Sequence, residues 1–106
     1  MPHYLFQAKY TTQGLQGVLK EGAASRMRVV QTLAESAGGS LVAGYWAFGD
    51  HDFMAIAELP DNAAAAAVAT TVSATGTSSV TTTVLLTAED IDEARGRSVT
   101  FRPPGA

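Results

Sequence analysis

The chain begins with a segment in which apolar and polar side chains alternate, and this alternation predicts a β-strand over His3–Tyr10. Successive side chains of a strand point to opposite faces, so one face is apolar and the other is mixed. The apolar face holds Tyr4, Phe6, Ala8 and Tyr10, and the mixed face holds His3, Leu5, Gln7 and Lys9.

Apolar residues at helical spacing follow, namely Leu15, Val18, Leu19, Val30, Leu33 and Ala37. Thr11-Thr12 provides a candidate N-cap in front of them, and Gly38-Gly39 provides a stop behind them. Gly22 interrupts the pattern, and Ser25 is a candidate cap for a second segment. We therefore expect one long helix with a weak point at Gly22.

The rest of the chain predicts two more strands, an alanine-rich helix, a fourth strand and a short helix. The strands cover residues 41–48 and 53–59, and the segment Gly49-Asp50-His51 joins them. Pro60-Asp61-Asn62 starts the alanine-rich helix, which ends before Gly76. Alanine favours helix and occupies little space, so this helix is expected to lie close against a sheet. Residues 80–86 form the fourth strand, Ala88–Arg95 the short acidic helix and residues 101–106 a tail.

This order of elements is β-α-β-β-α-β with a terminal helix, and it predicts an α+β, ferredoxin-like fold. Its four-stranded antiparallel sheet carries both long helices on one face and leaves the other face open. The chain is 46% hydrophobic and only 16% charged, whereas about 25% of residues are charged in typical domains. Pairing of two open sheet faces would explain this composition, so we expect a homodimer, a dimeric α/β barrel, or a higher homo-oligomer.

Length and composition exclude several classes of function. The 106 residues fit one domain, expected over residues 1–95 with a tail over 96–106. The net charge is −3 and no basic run occurs, which disfavours nucleic-acid binding. Cysteine is absent, which excludes disulfides, thiolate catalysis and iron–sulfur clusters. No signal peptide or spanning segment is recognisable, so we expect a soluble cytoplasmic protein that does not bind membranes.

A series of short motifs along the chain resembles the GYD domain family, which is placed among the dimeric α/β-barrel folds. The similarity extends from about residue 3 to about residue 92. The motifs are Lys9-Tyr10-Thr11 with Gly14, Lys20-Glu21, Ser25-Arg26, Gly38-Gly39, Tyr45-Trp46, Phe48-Gly49-Asp50-His51-Asp52, Glu58-Leu59-Pro60-Asp61 and Leu85-Leu86-Thr87. The resemblance implies a ferredoxin-like dimeric barrel. Relatives in the wider barrel superfamily include monooxygenases, haem-degrading enzymes and lactone isomerases, and fold alone does not choose among them.

The chain departs from this family at the Gly-Tyr-Asp triplet that gives the family its name. Here the sequence is Asp50-His51-Asp52, so His51 stands where the tyrosine is expected, and only Gly49, one place early, matches the glycine. Any chemistry that relatives perform with that tyrosine is therefore expected to differ in this chain. Asp52 matches the family motif.

His51 and Asp52 are the first candidate site, because an imidazole beside a carboxylate suits a general base with its orienting group, or a metal ligand pair. Adjacent strand residues point to opposite faces, so the backbone must turn for them to converge. The alternative is a hairpin in which Gly49 and Asp50 form the turn and His51 is solvated.

The second candidate joins strands one and three, which are expected to be adjacent and to run in the same direction. His3 and Asp52 are 49 positions apart, and so are Lys9 and Glu58. A single register would then place His3 opposite Asp52 and Lys9 opposite Glu58. Such pairs are either part of a ligand site with shifted pKa values or ion pairs of a dimer interface.

Arg26 and the aromatic pair Tyr45-Trp46 complete the candidates, together with Tyr10. Arg26 lies in or beside the apolar stripe of the long helix, where it would clamp a ligand carboxylate or pair with Asp50 or Asp52. The aromatic residues would line a small apolar pocket or belong to the core. No nucleotide, hydrolase or metalloprotease motif occurs.

Three hypotheses for the function follow. The leading one is an oligomeric protein without cofactor that binds a small molecule, with an anionic ligand as one candidate, or acts as an accessory subunit. The second is a small cofactor-free isomerase or monooxygenase-like enzyme, with His51 or His3 as base, Asp52 as the orienting group, and Arg26 and Lys9 binding an anionic substrate. The third is transition-metal binding through His3, His51 and Asp52.

Overall fold

A computed structural model describes residues 1–106, and its elements follow the predicted order. The bounds are β1 His3–Tyr10, α1 Thr12–Glu21, α2 Ala23–Ser36, β2 Ser40–Trp46, β3 Phe53–Glu58, α3 Asn62–Ser73, β4 Ser78–Leu85 and α4 Ala88–Arg95. None of the four helices combines the length and the apolar character that crossing a membrane requires.

The sheet has the strand order β2-β3-β1-β4, and every neighbouring pair is antiparallel. The predicted α+β, ferredoxin-like fold is therefore confirmed. A β-bulge interrupts the pairing of β2 with β3 between Leu41 and Ala43.

The expectation of one long helix is wrong in one respect, because the helix is broken at Gly22. The φ of Gly22 is +95°, a conformation that glycine adopts without steric cost and that an α-helix does not contain. Helix α1 therefore ends at Glu21, and α2 starts at Ala23. The break lets α2 take its own direction over β2, with which it packs.

The core lies between the sheet and the helices. The predicted apolar face of β1 is buried there through Tyr4, Phe6 and Ala8. Helix α3 begins at an Asp61 cap, whose carboxylate accepts the amide N–H of Ala64 at 2.9 Å. Ala65 of this helix is buried. At this end, the alanine-rich helix lies against the sheet as its small side chains predict.

The opposite face of the sheet carries no helix, and we call it the open face. Leu5 pairs there with Ile56, and Gln7 pairs with Met54. Tyr45 of β2 lies opposite Met54 on the same face, and its side chain is 68% exposed. The open face thus has an apolar centre formed by Leu5, Met54 and Ile56.

Candidate functional site

A cavity of about 610 Å³ lies between the sheet and the helices. The small side chains of Ala8, Ala55 and Ala57 form part of its floor, together with two phenylalanines of β1 and β3. Its volume falls within the range of about 300–1,000 Å³ of ligand pockets in proteins. Apolar side chains of α1 and α2 form one wall and those of α3 the other; they include Val18, Val30, Leu33, Val68, Ala69 and Val72.

The cavity exists because its surroundings combine small residues with separated helices. Helix α3 packs mainly on β4, and α2 packs mainly on β2, so the middle of the sheet between them is left uncovered. The alanine side chains of the floor and of α3 are too short to fill the space. Ala65 is buried where α3 meets the sheet, and Ala69, one turn later, lines the pocket.

Contacts between α1 and the segment before β4 fix one end of the cavity. Thr11 caps α1 by accepting the amide N–H of Gly14 at 3.2 Å, and its own amide N–H donates to the carbonyl of Thr77 at 3.0 Å. A Cβ atom on Gly14 would lie 1.9 Å from that carbonyl oxygen. Only glycine therefore permits this approach of the helix to the chain before β4.

Polar side chains gather at the junction of α1 and α2, where Arg26 and Glu21 line the cavity. Arg26 Nη1 lies 3.5 Å from Glu21 Oε1, and the Ser25 hydroxyl donates to Glu21 Oε2 at 2.8 Å. The sequence suggested Asp50 or Asp52 as the partner of Arg26, and that suggestion is wrong. The actual partner lies one helix earlier, because the break at Gly22 brings the two side chains together.

The aromatic candidates are divided between the two faces of the sheet. Tyr10 lines the cavity, and its hydroxyl accepts the indole N–H of Trp46 at 3.3 Å. The Trp46 ring packs on Phe53 with 4.8 Å between ring centroids. Tyr45 lies on the open face. Of the three aromatic candidates, Tyr10 lines the cavity, whereas Tyr45 and Trp46 do not, and Trp46 packs in the core as the alternative interpretation had it.

His51 and Asp52 lie beside β1 at one end of the open face. The side chain of Lys9 contacts Asp52 Oδ1 at 3.2 Å, and the Tyr10 amide N–H donates to Asp52 Oδ2 at 2.9 Å. These interactions, the backbone hydrogen bond above all, hold the pKa of Asp52 below its ordinary value, although desolvation acts in the opposite direction. His51 Nδ1 lies 3.4 Å from Gln7 Nε2.

The loop around His51 agrees with the hairpin interpretation. Residues 47–52 connect β2 to β3, and the Ala47 amide N–H closes the loop by donating to the carbonyl of Asp52 at 2.9 Å. Asp50 is exposed at its tip. Asp52 is the residue of this segment that the structure ties most firmly to the sheet.

The charge pairs predicted across β1 and β3 form with exchanged partners. The two strands are antiparallel, so residue numbers rise along β1 while they fall along the facing β3. The equal spacing of 49 positions, which assumed strands running in the same direction, therefore does not identify the facing residues. His3 therefore faces Glu58, with 3.7 Å between Nε2 and Oε1, and Lys9 faces Asp52. The predicted pairs of His3 with Asp52 and of Lys9 with Glu58 are wrong.

This register separates the residues proposed for metal binding. His3 and Lys9 are six residues apart on β1, or about 20 Å at roughly 3.3 Å per residue. His3 and Asp52 thus lie at opposite ends of the strand pair, and no group of three potential His, Asp or Glu metal ligands occurs. The residues of the enzyme hypothesis are also divided, since Arg26 lines the cavity while Lys9, His51 and Asp52 lie at the open face.

Sequence reasoning missed several residues that shape the cavity, above all Glu21, Gly14 and Gly17. A signal for them is present in the sequence. Gly14, Gly17 and Glu21 follow one another at helical spacing of three and four residues, so they share a face of α1. Gly14 permits contact with the Thr77 carbonyl, and a Cβ atom on Gly17 would meet nothing within 4 Å, so of the two glycines only Gly17 leaves space in front of the helix.

Together, the sheet, the helices on one face and the apolar cavity define a small ferredoxin-like domain with a pocket over the middle of its sheet. The model of the family described as GYD domain matches residues 4–94. The chain therefore belongs to the GYD domain family, as its motifs suggested. Comparison with curated proteins and with solved structures gives no match.

Proposed function

We propose that this protein binds a small amphipathic carboxylate, with the apolar part of the ligand in the cavity and its carboxylate at Arg26. The observation that carries the proposal is the composition of the cavity. Its lining is mostly apolar, and Arg26 is the one Lys or Arg side chain in it. Ligand sites commonly combine an apolar wall with a few polar groups that fix orientation.

The ion pair of Arg26 leaves room for such a ligand. One guanidinium nitrogen contacts Glu21 at 3.5 Å, while Glu21 also accepts a hydrogen bond from Ser25. A guanidinium has five N–H donors in a planar fork that matches a carboxylate, so a ligand carboxylate can use the donors that do not face Glu21. The Arg26 side chain is 37% exposed, which leaves it accessible from solvent.

Calorimetric titration with straight-chain acids from hexanoate to dodecanoate tests the proposal. Each buried methylene group contributes about 0.8 kcal/mol, so affinity should rise about fourfold per carbon until the chain fills the cavity. The primary alcohol of equal length should bind more weakly, because it offers no charge to Arg26. Equal affinities for acids and alcohols at every length would refute the carboxylate contact.

Arg26→Gln tests the charged end of the cavity. Hydrogen bonds to charged groups contribute about 1.5–3 kcal/mol, so the variant should bind decanoate about 10- to 150-fold more weakly and bind decanol as the parent protein does. The matched control is Arg28→Gln, because Arg28 lies on the same helix, is exposed and does not line the cavity. An equal loss in both variants would show that net charge, and not this contact, controls binding.

Ala69→Phe tests the apolar part, because the larger side chain would occupy the cavity from the α3 wall. This variant should lose binding of both the acid and the alcohol while remaining folded. Ala67→Phe is the control, since Ala67 lies on the exposed side of the same helix. Undiminished decanoate binding by the folded Ala69→Phe variant would place the ligand elsewhere.

The protein is further proposed to act as a homodimer that pairs the open faces of two sheets. The support is the apolar centre of that face, where Leu5, Met54 and Ile56 have no helix above them. Ile56→Lys should lower the fraction of dimer in light scattering coupled to gel filtration. Leu19→Lys, at an exposed position of α1, should not. A parent chain that is monomeric at about 100 μM would refute this assembly.

A further inference from the structure

We propose that the segment formed by residues 86–106, here called the C-terminal arm, packs on a second copy of the chain. In this structure, every residue of the arm is exposed. The radius of gyration is 16.8 Å, whereas a compact chain of this length has about 13 Å. The longest dimension of the molecule is 56 Å. The arm therefore extends away from the domain to which it belongs.

The arm is ordered locally although it does not pack on its own domain. Thr87 and Asp90 form a capping box at the start of α4: the Thr87 hydroxyl accepts the Asp90 amide N–H at 3.0 Å, and the Asp90 carboxylate accepts the Thr87 amide N–H at 2.9 Å. A side-chain pair of Glu93 and Arg97 spans its end. An isolated helix of eight residues is marginal in water, so packing on a partner would stabilise α4.

The apolar side chains of the arm also require a partner. Leu86, Ile91, Val99 and Phe101 are all more than half exposed, and Val99 reaches 84%. Val99 and Phe101 alternate with Ser98, Thr100 and Arg102, which is the pattern of a strand with one apolar face. Large apolar residues concentrated in one projecting segment mark an interaction surface.

A second copy of the chain provides a matching surface at the free edge of its sheet. The sheet ends at β2 on one side and at β4 on the other. Strand β4 is eight residues long and its pairing with β1 is free of bulges, while the β2 edge carries the bulge near Val42. An unprotected regular edge accepts an additional strand. Because the arm leaves directly from β4, a two-fold axis near this edge lets two chains exchange arms.

Paramagnetic relaxation enhancement between two differently labelled chains tests the exchange. The protein has no cysteine, so Ser98→Cys provides a unique attachment point for a spin label on the arm. Chains that carry the spin label and natural-abundance ¹⁴N are mixed with ¹⁵N-labelled chains that carry no spin label. Only the ¹⁵N chains give amide signals, so every broadened signal reports an intermolecular contact. Broadening of the amides of residues 79–85 is expected. Absence of intermolecular broadening, or broadening confined to other surfaces, would overturn the proposal.

Sedimentation equilibrium provides the second test. Phe101→Asp should weaken self-association by about tenfold or more, because burial of one Phe side chain contributes about 1.5–3 kcal/mol. Thr100→Asp, on the other face of the strand-like segment, should have little effect. Equal association constants for the parent chain and Phe101→Asp would overturn the proposal. Decanoate binding should be unchanged in Phe101→Asp, so failure of the arm proposal is distinguishable from failure of the cavity proposal.

Discussion

Replacement of Gly14 by alanine should destabilise the protein, because α1 touches the carbonyl of Thr77 at this position. The added Cβ would lie 1.9 Å from the carbonyl oxygen, and ordinary contact begins at 3.4 Å. The helix must therefore move by about 1.5 Å, which is the difference between these distances. Overpacking of this kind costs about 1–3 kcal/mol.

The displacement also disturbs the hydrogen bond from the Thr11 amide to the Thr77 carbonyl at 3.0 Å, which contributes about 1 kcal/mol. The higher helix propensity of alanine offsets part of this loss, because it stabilises the helix by about 0.5–1 kcal/mol. The free energy of unfolding should therefore fall by about 2 kcal/mol for Gly14→Ala. For a domain of this size, the melting temperature should fall by about 10 °C.

Gly17→Ala is the matched control on the same helix. A Cβ atom at Gly17 meets nothing within 4 Å, so only the gain in helix propensity remains. This variant should be more stable by about 0.5–1 kcal/mol. Urea unfolding measures both changes through the fluorescence of Trp46, the only tryptophan. If both variants were stabilised alike, the close approach of α1 to Thr77 would be refuted.

Further predictions concern Asp52, the register of β1 with β3, and α4. Because the pKa of Asp52 is lowered in the folded state, its stabilisation is fully present above the unfolded value near 3.8 and is lost as the pH falls through the folded pKa. In thermal melts, the difference in stability between the parent chain and Asp52→Asn should be largest above this unfolded value and should shrink as the pH falls below it. A double-mutant cycle should couple Lys9 to Asp52 and give no coupling of Lys9 to Glu58. Thr87→Ala should weaken the α4 cap by about 1 kcal/mol and speed amide hydrogen exchange in that helix.

Most of the fold was predictable because local patterns along the chain determine it. Alternation gave β1 with its correct two faces, and the short acidic helix predicted over Ala88–Arg95 is observed there as α4. The wrong charge pairs arose from strand direction. The equal spacing of the four titratable residues on β1 and at the two ends of β3 fits strands that run in the same direction as well as strands that run in opposite directions. Only the connections between the strands decide which direction is correct.

The candidate site was less predictable, because a cavity forms where side chains are too small to fill the space between elements. The sequence singled out Arg26 by its charge on an apolar stripe, but its partner Glu21 depends on the break at Gly22. The floor residues Ala8, Ala55 and Ala57 carry no chemical signal individually. They become informative only when the register places them side by side beneath separated helices.

The central claim is that a small amphipathic acid occupies the cavity between sheet and helices. The most direct test locates the bound ligand by nuclear Overhauser effects between ¹³C-labelled decanoate and the methyl groups of the protein. Contacts with Val30 of α2 and Val72 of α3, which face each other across the cavity, are predicted. Contacts confined to Leu5 and Ile56 of the open face, or no contacts at saturating ligand, would contradict the claim.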